Sequence, residues 1–144
     1  MGQTPQSEIL HATAVADAAG RGLLILGPSG AGKSALAWAL LSLGARLVAD
    51  DRTLVTAGPD GLTLACPPPI RGLIEARGIG LLRAETVASA PLVLAVDLGR
   101  IESDRLPPRR EIVLLGHKVD LVLGPVTAHF PAALLHSLAW GRLD

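Results

Sequence analysis

The chain has 144 residues, of which 49 % are hydrophobic and 18 % are charged, and its formal net charge is 0. This length and composition predict one domain over residues 1–144 and exclude a largely disordered chain. Balanced charge argues against nucleic acid as a partner, because binding to phosphate backbones needs a surplus of basic residues. No apolar run reaches the roughly 18 residues of a membrane span, so we expect no membrane partner. The single cysteine, Cys66, fits a reducing, cytoplasmic location.

The first third of the chain predicts a strand, a loop, a helix and a second strand. Residues 1–9 are polar, and we expect them to be disordered. The continuous apolar run at 23–26 is typical of a buried strand, and residues 33–43 are typical of a helix that stops at Gly44. Residues 46–49 predict another buried strand, which ends in two aspartates.

The remainder of the chain predicts mainly strands. Short apolar segments flank the turn at 58–61 and indicate a hairpin, and the prolines at 67–69 interrupt the chain before a glycine-rich loop region. Further elements are expected as three strands and a final helix, at 92–96, 112–115, 119–123 and 131–140. The order of these elements predicts an α/β domain with a mixed sheet and β-hairpins.

A phosphate-binding loop is the most specific motif. The pattern G-x-x-x-x-G-K-[ST] follows the first strand and opens the helix, with the residues Gly27, Pro28, Ser29, Gly30, Ala31, Gly32, Lys33 and Ser34. Glycines let backbone N–H groups converge on phosphate oxygens, and the helix N-terminus adds positive potential. The lysine would reach the β- and γ-phosphates and the serine hydroxyl would bind Mg²⁺, so the motif predicts binding of a nucleoside triphosphate.

Two adjacent carboxylates follow the second strand. Asp50 and Asp51 lie 16 and 17 positions after Ser34, where a strand end can face the phosphate loop. One of them could hold Mg²⁺, and the other could accept a proton from an attacking hydroxyl, since neighbours on a strand point to opposite faces. The alternative is a purely structural role, in which the two aspartates cap a turn before Thr53.

These segments together resemble a known family. His11, the loop at 27–34, the segment 47–51 and Glu75-Ala76-Arg77-Gly78-Ile79-Gly80 occur in the order found in the catalytic domain of the HPr kinase/phosphorylase family. The resemblance covers about residues 10–125, and E-x-R-G-x-G is the family's own signature. It implies a P-loop fold similar to the nucleotide-binding core of HPr kinase and PEP carboxykinase. We also expect a short form, without the family's usual N-terminal domain, that resembles alphaproteobacterial members.

The resemblance also implies roles for individual residues. Asp51 matches the acid/base aspartate, beside Asp50, and His11 matches a histidine of the catalytic site. Arg105, in Asp104-Arg105-Leu106, matches a catalytic arginine, although by itself an arginine before two prolines is typical of a solvated surface. Lys33 matches the phosphate-binding lysine.

The implied cofactors are ATP and Mg²⁺, with Ser34 and Glu75 as the magnesium ligands. The implied activity is that of a protein-serine kinase acting on an HPr-type phosphocarrier of the phosphotransferase system, within a homo-oligomer, which in the family is a hexamer.

One segment departs from the family. Longer members carry a P-V-R-P-G-R-N stretch before the last helix, whereas residues 124–131 here contain no arginine. Since guanidinium groups would offset the charge of phosphoserine and inorganic phosphate together, we expect phosphorylase activity to be weak or absent. Arg109 or Arg110 could substitute if their loop folds inward.

Three other functions are compatible with a phosphate loop. Residues 117–120 resemble the guanine-binding N-K-x-D segment of a GTPase, but His117 replaces the asparagine, and Asp97 could imitate a Walker B carboxylate. A small-molecule kinase would need a helical lid, which the glycines and the strand within 75–110 fit poorly. A non-catalytic nucleotide-binding protein is suggested by the altered segment at 124–131.

Overall fold

The computed structural model describes residues 6–143. Within this range there are eleven strands, two α-helices and a short 3₁₀ helix at Pro68–Ile70. The strands are β1 (Ser7–Leu10), β2 (Thr13–Ala16), β3 (Gly22–Leu26), β4 (Arg46–Ala49), β5 (Thr53–Gly58), β6 (Gly61–Ala65), β7 (Leu73–Ala76), β8 (Gly80–Arg83), β9 (Ser89–Ile101), β10 (Arg110–Leu114) and β11 (His117–Gly124). The helices are α1 (Lys33–Ser42) and α2 (Phe130–Trp140). No helix in residues 6–143 is long and apolar enough to span a bilayer.

Nine of the strands form one mixed sheet. Its order is β1-β5-β6-β9-β3-β2-β4, and β11 adds to β9 and carries β10 in turn. Strands β3 and β11 run parallel to β9, whereas the other pairs are antiparallel. The mixed sheet and its hairpins confirm the α/β fold predicted from the sequence.

Strand β3 is buried on both faces, which explains its continuous apolar sequence. Leu23 and Ile25 pack with residues of α1 and α2 on one face, including Leu36, Leu40, Leu134 and Leu138. Leu24 points to the other face, where it packs with residues of β4, β5 and β6 such as Val48, Val55 and Leu64. Because alternate side chains anchor opposite layers, the end of β3 is held rigidly, and the phosphate loop starts there.

Helix α1 begins and ends close to the predicted positions. Gly32 precedes it with φ of 99°, and Gly44 follows it with φ of 103°. A side chain with a Cβ would be strained at both positions, so these glycines set the sharp entry and exit of the helix.

The structure corrects three expectations from the sequence. Residues 7–9 are not disordered: Ser7–Leu10 pairs with β5, while residues 1–5 lie outside the described range. The region after the prolines is not only loop, because β7 and β8 form a separate hairpin around a turn at Gly78. Strand β9 spans thirteen residues, well beyond 92–96, because β6, β3 and β11 all pair along it.

The GTPase-like segment also has an unsuitable backbone. Residues 117–120 lie within β11 and pair with β10, and Asp120 also pairs with Leu94 of β9. Their backbone groups are therefore committed to the sheet and do not form a base-binding loop.

Candidate active site

The phosphate loop curves around the amino group of Lys33. Nζ of Lys33 donates to the carbonyl oxygens of Gly27 and Pro28 at 2.7 and 3.1 Å, and the residue is only 6 % exposed. The loop is sterically tight, since a Cβ on Gly27 would lie 3.1 Å from that of Ala31. The phosphate loop therefore holds the positively charged amino group of Lys33 at a fixed position inside the curve formed by its glycines.

The N-terminus of α1 opens toward the same place. The helix has ten residues, no side-chain cap and no acidic residue in its first turn. Its first N–H groups are thus uncompensated by a carboxylate, and they add positive potential beside Lys33. Together they suit a polyanion such as the phosphate chain of a nucleotide.

Asp50 is a buried hub at the end of β4. Its Oδ1 accepts hydrogen bonds from the hydroxyls of Thr13 and Ser34 at 3.0 and 2.7 Å, and its Oδ2 accepts one from the N–H of Glu75 at 3.1 Å. The residue is 8 % exposed. Because a buried carboxylate needs such partners, Asp50 ties β2, α1 and β7 together.

Asp51 adopts a different conformation from its neighbour. Its φ is 67°, and its N–H donates to Oγ1 of Thr13 at 3.2 Å. Its side chain is 61 % exposed, and Oδ1 lies 3.0 Å from Nδ1 of His11. The other ring nitrogen of His11, Nε2, lies 3.2 Å from Oγ of Ser29. The positive φ is thus the local device that gives two consecutive carboxylates separate surroundings.

A cavity of about 360 Å³ unites most of the predicted site residues. Its lining comprises His11, Ser29, Gly30, Gly32, Lys33, Ser34, Ala35, Trp38, Asp50, Asp51, Glu75 and Arg77. The predicted loop residues Gly27, Pro28 and Ala31 complete the backbone of the phosphate loop beside it. Residues from four separate segments of the chain therefore meet at one opening.

Oxygen donors for a divalent cation lie on one side of this cavity. Ser34 and Glu75 both line it, and the buried carboxylate of Asp50 contacts each of them through a hydrogen bond. Hydroxyl and carboxylate oxygens suit Mg²⁺, which proteins usually hold through one or two side chains together with substrate phosphates. Among the described residues no three His, Cys, Asp or Glu side chains form a preassembled metal site.

Three cavity-side residues were missed by the sequence reasoning. Thr13 is fully buried and bonds both aspartates, but a threonine in a strand gives no signal of that role. Trp38 donates its indole N–H to the carbonyl of Glu75 at 3.0 Å and so fixes the β7 hairpin against α1. Arg77, to which the sequence assigned no role beyond its place in the E-x-R-G-x-G segment, lines the cavity and forms no ion pair with any residue in 6–143.

Arg105 is the predicted site residue that the structure does not bring to the cavity. It lies exposed in the loop between β9 and β10, and it is not among the described lining residues. The base of this loop is fixed by Glu102, whose carboxylate accepts two hydrogen bonds from Arg110 at 2.7 and 2.9 Å. Those hydrogen bonds lower the pKa of Glu102 from 4.5 to about 2.

The other two arginines of the loop lie elsewhere. Arg109 and Arg110 line a second cavity of about 240 Å³ between β11 and α2. Arg109 donates to the carbonyl of Arg142, and Arg110 is engaged by Glu102. The structure therefore gives no support to either arginine as a phosphate ligand in the first cavity.

Comparison with known proteins places this site in a family. The family model described as HPr Serine kinase C-terminal domain matches residues 3–96. The HPr kinase/phosphorylase of Cupriavidus necator is 49 % identical over 131 residues, covering 83 % of this chain and 41 % of that protein. The protein of the same name from Burkholderia cenocepacia is 47 % identical with the same coverage, so the chain spans about two-fifths of these curated relatives.

A solved structure agrees with the sequence matches. The Hpr(Ser) kinase/phosphatase from Coxiella burnetii superposes with a TM-score of 0.79 and 26 % identity, covering 94 % of this chain and 91 % of that chain. The sequence matches include the phosphate loop, the aspartate pair and the E-x-R-G-x-G segment, all of which lie within residues 3–96. The chain therefore belongs to the HPr serine kinase C-terminal domain family.

Proposed function

We propose that this chain is an ATP- and Mg²⁺-dependent protein-serine kinase whose substrate is an HPr-type phosphocarrier. The observation that carries the proposal is the exposed Asp51 carboxylate, held by His11 at the mouth of the cavity that contains Lys33. A base that faces solvent next to a phosphate loop suits a nucleophile delivered by another protein. The names of the relatives supply the identity of that protein.

The first task of the site is to hold the nucleotide. Lys33 and the N-terminus of α1 place positive charge where the β- and γ-phosphates would lie. Because their positions are fixed by the loop carbonyls and by β3, little reorganisation is needed when charge builds up in the transition state. Ser34 and Glu75 would hold Mg²⁺, which would neutralise phosphate charge when bound.

The second task is to activate the serine of the substrate. Asp51 accepts the proton of the serine hydroxyl as that oxygen forms a bond to the γ-phosphorus, and ADP departs with the electrons of the broken bond. His11 holds the carboxylate in place through Nδ1 at 3.0 Å. Asp50 is unsuited to the role of base, because its carboxylate already accepts three hydrogen bonds and is buried.

The proposal extends to the setting of the reaction. Residues 1–144 act as one catalytic domain within a homo-oligomer, and phosphorolysis of the phosphoserine is weak or absent because residues 124–131 supply no guanidinium group. The need for ATP and the free thiol of Cys66 support a cytoplasmic location.

The test is a transfer assay with purified components. The protein is incubated with Mg·ATP and with each candidate HPr-type carrier, and the product is analysed by intact mass and by mapping of the phosphorylated residue. We expect one phosphate on a carrier serine, and no product with a carrier in which that serine is alanine. Binding of ATP without transfer to any carrier would contradict the kinase and favour a nucleotide-binding protein. A preference for GTP over ATP by about a hundredfold would favour a GTPase.

A further inference from the structure

Two serine hydroxyls line the cavity, and they have different partners. Ser34 donates to the carboxylate of Asp50 at 2.7 Å, and this arrangement suits a hydroxyl whose oxygen binds a cation. Ser29 instead bonds Nε2 of His11 at 3.2 Å. The ring of His11 is held on its other side by Asp51. Ser29, His11 and Asp51 thus form a continuous hydrogen-bonded chain, which we call the serine triad.

When the His11 ring is in its neutral form, the chemistry of the three groups determines the direction of these hydrogen bonds. A carboxylate can only accept, so Nδ1 of neutral His11 carries the hydrogen that points to Asp51. Nε2 is then the unprotonated nitrogen, and the hydroxyl of Ser29 must donate to it. This is the arrangement of an activated serine: a base takes the hydroxyl proton, and a carboxylate orients the base and stabilises the imidazolium.

Ser29 also lies where a phosphoryl donor would be bound. It is the third residue of the phosphate loop, its side chain is exposed into the cavity, and Gly30 beside it has a φ of 85°. If the loop holds the terminal phosphates of ATP, as the proposed function requires, the hydroxyl is within the segment that surrounds them. Lys33 and Arg77 also line the cavity, and they would offset negative charge acquired there.

We propose that Ser29 is a self-phosphorylation site, used when no carrier protein occupies the cavity mouth. Oγ of Ser29 forms a bond to the γ-phosphorus of ATP while the bond from that phosphorus to the β,γ-bridging oxygen breaks. The hydroxyl proton passes to Nε2 of His11, and ADP leaves with the bond electrons. The inference rests on the proposed function for its donor, but it adds an acceptor within the chain.

Self-phosphorylation would also oppose nucleotide binding. A phosphoserine carries about −1.5 to −2 charges at neutral pH and would lie in the loop meant for the phosphates of ATP. Each molecule should therefore accept one phosphate and then bind ATP more weakly. The reaction would give the kinase an inactive form that accumulates when the carrier is scarce.

The experiment compares single-serine variants by intact mass. The full chain is incubated with Mg·ATP without carrier, and the phosphorylated peptide is mapped. We expect one added phosphate on Ser29 in the unmodified chain, none in Ser29→Ala, and at least a tenfold lower initial rate in His11→Asn. Ser42→Ala is the matched control, because Ser42 is an exposed serine that bonds only a backbone carbonyl, at 2.6 Å. It should accept the same phosphate as the unmodified chain.

Three results would overturn the inference: no phosphate on the chain, phosphate on another residue, or an unchanged phosphate content in Ser29→Ala. The carrier assay separates this failure from failure of the proposed function. Transfer to carrier without phosphate on Ser29 refutes only the self-phosphorylation. Circular dichroism spectra and ATP titrations of the variants show whether a lost signal comes from misfolding or from lost nucleotide binding. If Ser29→Ala loses ATP binding as well, Ser29→Thr, which keeps a hydroxyl, must regain phosphate for the inference to stand.

Discussion

Two loops of this molecule carry the predicted catalytic cations Lys33 and Arg105, and the surroundings of the two side chains are opposite. In the phosphate loop, the amino group of Lys33 is buried and bonded to two carbonyls. In the loop between β9 and β10, Arg105 is exposed and lies away from the cavity. The first cation already lines the cavity, whereas the second would have to move to the cavity to take the role that the family resemblance implies.

The two loops also differ in what anchors them. The phosphate loop joins β3, buried on both faces, to α1, whose apolar side packs on the same layer. The β9–β10 loop is held at its base by the ion pair between Glu102 and Arg110, and its end contacts the residues after α2 through hydrogen bonds from Arg109 to the carbonyl of Arg142 and from Arg142 to the carbonyl of Pro107. We therefore expect Lys33 to act on nucleotide and transition state alike, and Arg105 to act only when a carrier protein is bound.

The largest effect is expected from Lys33→Ala. Removing the buried ammonium should lower the rate of transfer to carrier by about 10³-fold or more, because the terminal phosphates lose their fixed counter-charge. It should also weaken ATP binding. The measurements are a steady-state phosphotransfer assay and an ATP titration.

The control for this variant is Lys118→Ala, which removes the chain's one other lysine from an exposed position on β11. Lys118→Ala should leave transfer within about twofold. Equal losses in the two variants would mean that general charge, and not the phosphate loop, attracts the nucleotide.

The second comparison is within the aspartate pair. Asp51→Asn should reduce transfer by about 10²-fold, because the amide oxygen is a poor base, and should leave ATP affinity and stability almost unchanged. Asp50→Asn should instead lower the free energy of unfolding by about 1–3 kcal/mol, since the amide nitrogen cannot accept the hydrogen bonds that the carboxylate accepts. Urea unfolding and transfer kinetics on both variants check this. The opposite pattern would reassign the base to Asp50.

How much of this could be predicted depends on the range of the interactions. The glycine-rich turn between β3 and α1, and the helix after it, were predicted correctly, because glycine spacing and apolar runs are local signals. The β7–β8 hairpin was not, since its strands are short and exposed residues such as Leu81 and Leu82 weaken the period-two pattern. Strand β1 was also missed, because Ser7 and Glu8 are polar and give no apolar alternation. These residues form a strand through their pairing with β5.

The site shows the same division. The sequence predicted which residue types surround the phosphate loop, but the split between a buried Asp50 and an exposed Asp51 depends on a positive φ and on Thr13, which comes from another strand. No local pattern encodes that contact. The position of Arg105 depends on a long loop between two strands of the sheet, and the family resemblance alone assigned its role.

A smaller effect is expected from Arg105→Ala. Because Arg105 lies outside the cavity, ATP affinity measured without carrier should stay within about twofold. With carrier, kcat should fall by roughly tenfold, less than for a preorganised donor, because the exposed side chain must be ordered in each cycle. Arg109→Ala is the matched control from the same loop and should leave kcat near the unmodified value. Weakened ATP binding in Arg105→Ala without carrier would show that the loop already closes on the nucleotide.

The smallest effect is expected from the ion pair that anchors this loop, and it depends on pH. Hydrogen bonds from Arg110 lower the pKa of Glu102 to about 2 from its ordinary 4.5. A depressed pKa in the folded state means that the carboxylate stabilises the fold fully above about pH 4.5 and that this contribution is lost as the pH falls through about 2. Glu102→Gln should therefore be slightly less stable than the unmodified chain at pH 7, and the two urea midpoints should converge as the pH falls from 4.5 toward 2.

At pH 7 the variant should also lower kcat with carrier by a few-fold without changing ATP affinity, because it frees the base of the loop and not the nucleotide site. A difference in urea midpoint that stays constant from pH 7 to pH 2 would show that the charge of Glu102 does not anchor the loop that carries Arg105.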